Sequence, residues 1–202
     1  VPSAIFSGHK PIYVPSTPAG NEITKLVVDG DSIPANTYSW ANTMQRWPLS
    51  NRAVAGNTIA DLDGRKANIV SDRVTGAVCI ISIGTNNVAN GDTAAGIESA
   101  LWSLIDYYWT NGWNGANNKL YVCTMFERAS VGYDQTVWAD VNTAIRANAA
   151  SHCTGYIEQT GVIYPSTPNS TRRWLDLIHP STIGHQYLRD ALFFPLLYGI
   201  RF

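Results

Sequence analysis

Charge is scarce in this chain. Only 14% of its 202 residues are Asp, Glu, Lys or Arg, and the formal net charge is −1. Clustered Lys and Arg of the kind that phosphate backbones require are missing, so no nucleic-acid partner is expected. Long apolar runs are missing too: none approaches the roughly 18 residues of a membrane span, so no membrane partner is expected. Cysteine is sparse. Cys79, Cys123 and Cys153 are the only three, which leaves at least one unpaired, and none has metal-ligand spacing. Cys79 and Cys123 lie inside apolar runs and read as small buried hydrophobes. There is neither an initiating Met nor a signal-like start. The opening VPSAIFSGHKPIYVPSTPAG is proline-rich without periodicity, which predicts an extended lead-in over 1–20 and a chain that was processed or cut from something longer.

What is present is a globular composition. At 45% hydrophobic over 202 residues, the chain suits one domain with a sizeable core, expected over 21–202. Seven Trp and ten Tyr beside so few charges suit a secreted or virion protein that handles sugars. Asn169-Ser170-Thr171 fits a glycosylation acceptor, a pattern too common to carry weight.

The most informative stretch is KLVVDGDSIP, residues 25–34. Leu26, Val27 and Val28 form an apolar, β-favouring run that stops at Asp29-Gly30-Asp31-Ser32, so a buried strand is predicted to end in a turn bearing small and acidic side chains. Ligands of open α/β sheets bind beyond the carboxyl ends of strands, which makes Ser32 a candidate nucleophile. Downstream, a short helix is predicted over 39–47, a strand over 51–56 ending in Gly56, and a helix over 57–70 with Asn57 as N-cap and Gly64 in its middle. AVCIISIG (77–84) is apolar almost throughout and reads as a strand covered on both faces, ending in the polar turn Gly84-Thr85-Asn86-Asn87.

Ile97, Leu101, Leu104, Ile105 and Tyr108 mark an amphipathic helix over 93–109. KLYVCTMF (119–126) reads as a further buried strand, and a second clear helix begins at Asp134 with Val137, Val141 and Ile145 spaced by four. GYIEQTG (155–161) reads as a last strand, and a polar loop then leads to Asp176-Leu177-Ile178-His179-Pro180. A final helix from Ser181 or Thr182 is expected to turn Ile183, Tyr187, Leu188 and Leu192 inward and to end near Pro195. Strands alternate with helices, the pattern of a parallel sheet covered on both sides.

Such a sheet brings the carboxyl ends of its strands to one edge. Ser32, Gly56, Asn86 and the pair Asp176 and His179 can therefore converge. Serine needs a base within hydrogen-bond reach, and imidazole, with an unperturbed pKa of about 6.5, suits that task at neutral pH. His179 is the candidate base. Asp176, three residues earlier, can orient its ring and stabilise the imidazolium.

In order and spacing these blocks resemble the SGNH branch of the GDSL-type serine esterases. Gly30-Asp31-Ser32-Ile33 resembles the first block, with Ile where Leu is usual; Gly56 in AVAGNT the second; Gly84-Thr85-Asn86-Asn87 the third, with Asn87 where Asp is usual; and Asp176-Leu177-Ile178-His179-Pro180 the fifth. The resemblance implies a three-layer α/β/α sandwich around a central, mostly parallel, five-stranded flavodoxin-like sheet. It also implies an oxyanion hole made by the Ser32 and Gly56 N–H groups and the Asn86 side chain. At position 56 a Cβ is expected to obstruct close approach.

Further candidates for substrate contact are Asp31, Asn87, Arg172 and Trp174. Arg172 can equally be half of a solvated pair with Arg173, Trp174 a packed ring, and Asn87 a turn residue. For His9, His152 and His185 ordinary packing is expected, because no pair has metal-ligand spacing; no metal or organic cofactor is implied. The favoured function is hydrolysis of short acyl, chiefly acetyl, esters on a small molecule or polysaccharide. A lipase or thioesterase of the same family is the alternative. Outside the family, two readings remain: a noncatalytic glycan-binding domain, and a Mg²⁺-dependent phosphatase with Asp29 as nucleophile, which would need an acidic pair after a later strand.

Overall fold

The computed structural model describes residues 23–115, 117–128, 130, 132–161, 176 and 178–200. The lead-in over 1–20 and the candidates Arg172 and Trp174 lie outside them, as do His9 and Asn169. Among the described residues, five strands form one sheet: β1 (Lys25–Gly30), β2 (Leu49–Asn51), β3 (Ala77–Ser82), β4 (Lys119–Cys123) and β5 (Gly155–Ile157). Their spatial order is β2-β1-β3-β4-β5, and every neighbouring pair is parallel. From β1 the chain crosses one way to β2 and then returns past β1 to β3. That reversal opens a crevice beyond the carboxyl ends of β1 and β3.

Side chains of the central strands alternate between two apolar layers. Val27, Cys79, Ile81, Leu120 and Val122 point into one core, with α2 (Ile59–Gly64), α3 (Lys66–Ser71), α5 (Ala94–Thr110) and α6 (Gln135–His152) packed over it. Leu26, Val28, Val78, Ile80 and Cys123 point into the other, under Ile33 of α1 (Ser32–Ala35) and the C-terminal helices. Each such buried aliphatic side chain contributes about 1.5–3 kcal/mol. The result is the expected α/β/α sandwich, with every described strand pair parallel.

Helix ends follow local chemistry. Thr93 caps α5 by accepting from the Gly96 N–H, and Asp134 caps α6 by accepting from Thr136 and Val137. The helix anticipated over 57–70 is instead two helices that meet at Arg65, and Thr58 rather than Asn57 caps the first, in a reciprocal capping box with Asp61. Residues 39–47 form turns, not a helix. Ser39, Asn42 and Thr43 take backbone partners with their own side chains, competing with helical pairing. Meanwhile Trp40 stacks on Phe193 at a centroid distance of 3.7 Å.

Two further differences concern strand and turn boundaries. The second strand lies at Leu49–Asn51, not 51–56, because its position is set by pairing with Leu26–Val28. The turn after β3 contains a helix, α4 (Thr85–Ala89), too short to show a period. The C-terminal run comprises α7 (Thr182–Leu188), a π-helical turn (Arg189–Phe193) and α8 (Phe194–Gly199). It passes through Pro195, which sits in the first turn of α8, where a missing N–H costs nothing. The buried face of α7 also differs from the expected one: Ile183 is 49% exposed, Tyr187 is half-buried, and Gly184, His185 and Leu188 point inward.

Candidate active site

Ser32 is the first residue of α1, directly beyond the buried end of β1. Asp31 caps that helix, its carboxylate accepting from the Ile33 N–H at 2.9 Å. Gly30 is required for the approach to β3: an added Cβ would lie 2.0 Å from the Ser82 carbonyl oxygen. The strand end, the cap and the sheet contact together fix where the Ser32 hydroxyl emerges.

The opposite wall is the segment Ile178–Thr182. Ser32 Oγ and His179 Nε2 are 2.9 Å apart, although 147 positions separate them in sequence. The other ring nitrogen, Nδ1, lies 2.9 Å from Asp176 Oδ2, and Asp176 Oδ1 accepts the backbone N–H groups of Ile178 and His179 at 2.7 and 2.6 Å. Partial burial pushes the Asp176 carboxyl up, but the hydrogen bonds from His179 and Ile178 outweigh it and hold the group below the usual aspartate range. It stays ionised wherever imidazole can act as a base. A carboxylate on Nδ1 leaves the lone pair of Nε2 facing the serine hydroxyl, an arrangement that can accept a proton from Oγ.

Asn86 lies in α4 beyond β3, and its side-chain amide donates to the Asn57 carbonyl at 2.9 Å. One amide N–H is committed there, and the second remains to be donated elsewhere. Gly56 has φ +82°, a left-handed conformation that favours glycine. Among the described residues other than its chain neighbours, no atom lies within 4 Å of where its Cβ would be. The left-handed backbone conformation by itself accounts for glycine at this position. The loop carrying it is tied to β1 by the Val54 N–H, which donates to the Gly30 carbonyl at 3.1 Å.

Two of the suggested substrate-contacting residues have structural partners instead. Asp31 is only 2% exposed, beneath the turn rather than in the cleft, and desolvation pushes its carboxyl up to about 6. Asn87 Oδ1 accepts the Ile59 N–H and its Nδ2 donates to Asp92, so it clamps α4 to α2. Asp29, the nucleophile of the phosphatase alternative, is fully buried and ion-paired to Arg65 at 2.7 Å. Among the described residues no group of three or more His, Cys, Asp and Glu side chains could hold a metal ion. Its burial leaves Asp29 without access to a phosphoester.

The cleft over Ser32 and His179 has a volume of about 590 Å³ and is lined by Ala35, Asn36, Thr37, Tyr38, Ala55, Pro180, Ser181 and Thr182 as well. Its walls are short and mostly uncharged. Tyr38 is 59% exposed at its edge. Sequence reasoning missed the layer behind the site: Arg65, with its partner Asp29, and Arg128, which donates to the Thr85 carbonyl and lies over the Tyr133 ring. An acidic residue at the end of a buried strand was the one available signal, since a charge there calls for a partner.

A family model described as the GDSL-like lipase/acylhydrolase family matches residues 20–187. Among solved structures, a member of the lipolytic protein G-D-S-L family from Veillonella parvula superposes with a TM-score of 0.69 at 16% identity, over 83% of this chain and 94% of that one. The acetyl xylan esterase AlAXEase gives 0.65 at 20% identity, over 82% and 96%. Esterase EstA from Pseudoalteromonas sp., in a structure inhibited by monoethylphosphonate, gives 0.64 at 14%, over 83% and 93%. At these identities the likeness is one of fold. No curated protein matches the sequence.

Proposed function

The chain belongs to the GDSL-like lipase/acylhydrolase family, and from that premise we propose a serine esterase that removes short acyl groups, chiefly acetyl, from carbohydrate hydroxyls. Ser32 is the nucleophile, His179 the general base and Asp176 the carboxylate that orients it. The observation that carries this reading is the 2.9 Å approach of Ser32 Oγ to His179 Nε2, with Asp176 on the far side of the ring.

Oγ attacks the ester carbonyl as its proton passes to Nε2. Negative charge then develops on the carbonyl oxygen, where the N–H groups of Ser32 and Gly56 and the free amide N–H of Asn86 are the proposed donors, each worth about 2.7–4 kcal/mol. Collapse of the tetrahedral species breaks the C–O bond, and His179 returns the proton to the leaving alcohol. Water, deprotonated by the same imidazole, then releases the acid from the acyl-serine. No metal or organic cofactor takes part in these steps.

Three features support the choice of substrate. Among the described residues, the cleft beside Ser32 has no long apolar wall for a fatty chain. Its lining is mostly neutral and rich in hydroxyl and amide groups, which suits an uncharged polyol. Tyr38 offers an exposed ring face at the edge, the surface on which a sugar packs. The similarity in fold to an acetyl xylan esterase points the same way.

The test is release of acetate from a panel of acetylated polysaccharides and from p-nitrophenyl acetate, with and without EDTA. Wild type is expected to turn over in EDTA, and Ser32→Ala to lose at least about 10³-fold in kcat with its melting temperature preserved. Faster hydrolysis of acyl chains of about eight or more carbons than of acetate would favour a lipase or thioesterase. No Ser32-dependent turnover of any ester would leave a glycan-binding domain.

A further inference from the structure

Asn86 can serve as an oxyanion donor only if its amide is aimed, and a side-chain amide on a short helix has rotational freedom. The structure removes that freedom through a chain of contacts that begins at the opposite side of the crevice. Asp29, fully buried at the end of β1, accepts the Gly30 N–H at 2.8 Å and the Arg65 Nη2 at 2.7 Å. Arg65, at the junction of α2 and α3, donates through Nη1 to the side-chain oxygen of Asn57 and to the Asp61 carbonyl. Asn57 donates its own N–H to the Val54 carbonyl, and its carbonyl accepts the Asn86 amide at 2.9 Å.

We propose that Arg65, held by Asp29, is a positioning residue of the oxyanion hole: it fixes the Asn57 peptide and through it directs the second N–H of Asn86 into the site. This rests on the reading of Asn86 as a donor to the transition state. The links tie together the ends of β1, β2 and β3, from which all three proposed oxyanion donors project.

The form of the ion pair argues for geometry over stability. It is not bidentate: Asp29 Oδ2 and Arg65 Nε are buried without hydrogen-bond partners among the described residues. Buried pairs with unsatisfied atoms contribute little net stability compared with apolar packing. What this one does secure is a guanidinium whose two terminal nitrogens reach Asp29 and Asn57 at once. A lysine, with one nitrogen on a flexible stem, cannot reproduce that fork.

A double-mutant cycle with Arg65→Met and Asn86→Ala, read as kcat and KM on p-nitrophenyl acetate over the Ser32→Ala floor, tests the proposal. Asn86→Ala alone is expected to lower kcat by about 10²–10³-fold. Arg65→Met alone is expected to lower kcat by about 10–50-fold with KM changed less than about twofold. In the Asn86→Ala background Arg65→Met should cost less than about twofold, because the group it positions is gone. Should Arg65→Met fail to fold, Arg65→Lys and Asn57→Ala enter the same cycle, with smaller losses expected that likewise vanish without Asn86. Equal losses in both backgrounds, or none in the wild-type background, would overturn the proposal while leaving the esterase reading intact. Ester hydrolysis unaffected by Ser32→Ala would bring down that reading, and this inference with it.

Discussion

The two walls of the crevice are built in opposite ways. On the side of the proposed nucleophile, Ser32 is placed by a mostly buried strand, a glycine pressed against the neighbouring strand, a buried cap and a buried ion pair. On the side of the proposed base, His179 is placed by Asp176, three residues away, through one side-chain and two backbone hydrogen bonds, with the Asp176 side chain 49% exposed. One wall depends on tertiary packing and the other on a local turn. Substitutions among the buried groups that place Ser32 should therefore cost stability together with activity, and substitutions in the local turn that places His179 should cost activity alone.

The largest separation of the two effects is expected at Asp176→Asn. The asparagine keeps an oxygen for the Ile178 and His179 N–H groups but presents the wrong partner to Nδ1, so kcat should fall by about 10⁴-fold while the melting temperature stays within a few degrees. A collapse in melting temperature would show that this turn, too, is held by the fold. Next is Gly30→Ala. Its Cβ would lie 2.0 Å from the Ser82 carbonyl oxygen, and the strands must separate to admit it, at about 3 kcal/mol or more in urea unfolding. Unchanged stability would show that β1 and β3 can move apart freely.

A smaller effect, visible only in acid, sharpens the contrast beneath the base. His185 is 1% exposed, its ring nitrogens have no partner among the described residues, and burial, with the neighbouring His179, holds its pKa down at about 4. Its folded-state value lies below the ordinary 6.5, so the stability linked to its neutral form is complete above pH 6.5 and is lost as pH falls toward 4. The loss should reach about 3 kcal/mol. His185→Leu should flatten the slope of unfolding free energy against pH across that window. An unaltered slope would mean that the imidazole finds water or a partner on protonation.

The same contrast explains what could be read from the sequence. β1 and β3 are legible because each carries an apolar, β-favouring run, Leu26–Val28 and Ala77–Ile81, and α5 and α6 because they are long enough to repeat. β2 escapes such reading: its three half-buried residues gain their place by pairing with β1. The turns of 39–47 escape it because side-chain hydrogen bonds to the backbone displaced a plausible apolar period. Ser32, Asp176 and His179 stood out because they sit where strands or helices must begin or end. Arg65 did not, since its link to Asp29 spans 36 positions and no local pattern says which cation a buried carboxylate will find.

Cys79, Cys123 and Cys153 are all free and buried, and desolvation raises the pKa of each thiol. The thiolate is the reactive form, so oxidants and alkylating reagents should find no target while the sheet is closed. Covalent labelling of this chain thereby becomes a clock for opening. The rate at which label accumulates counts the excursions that expose the core.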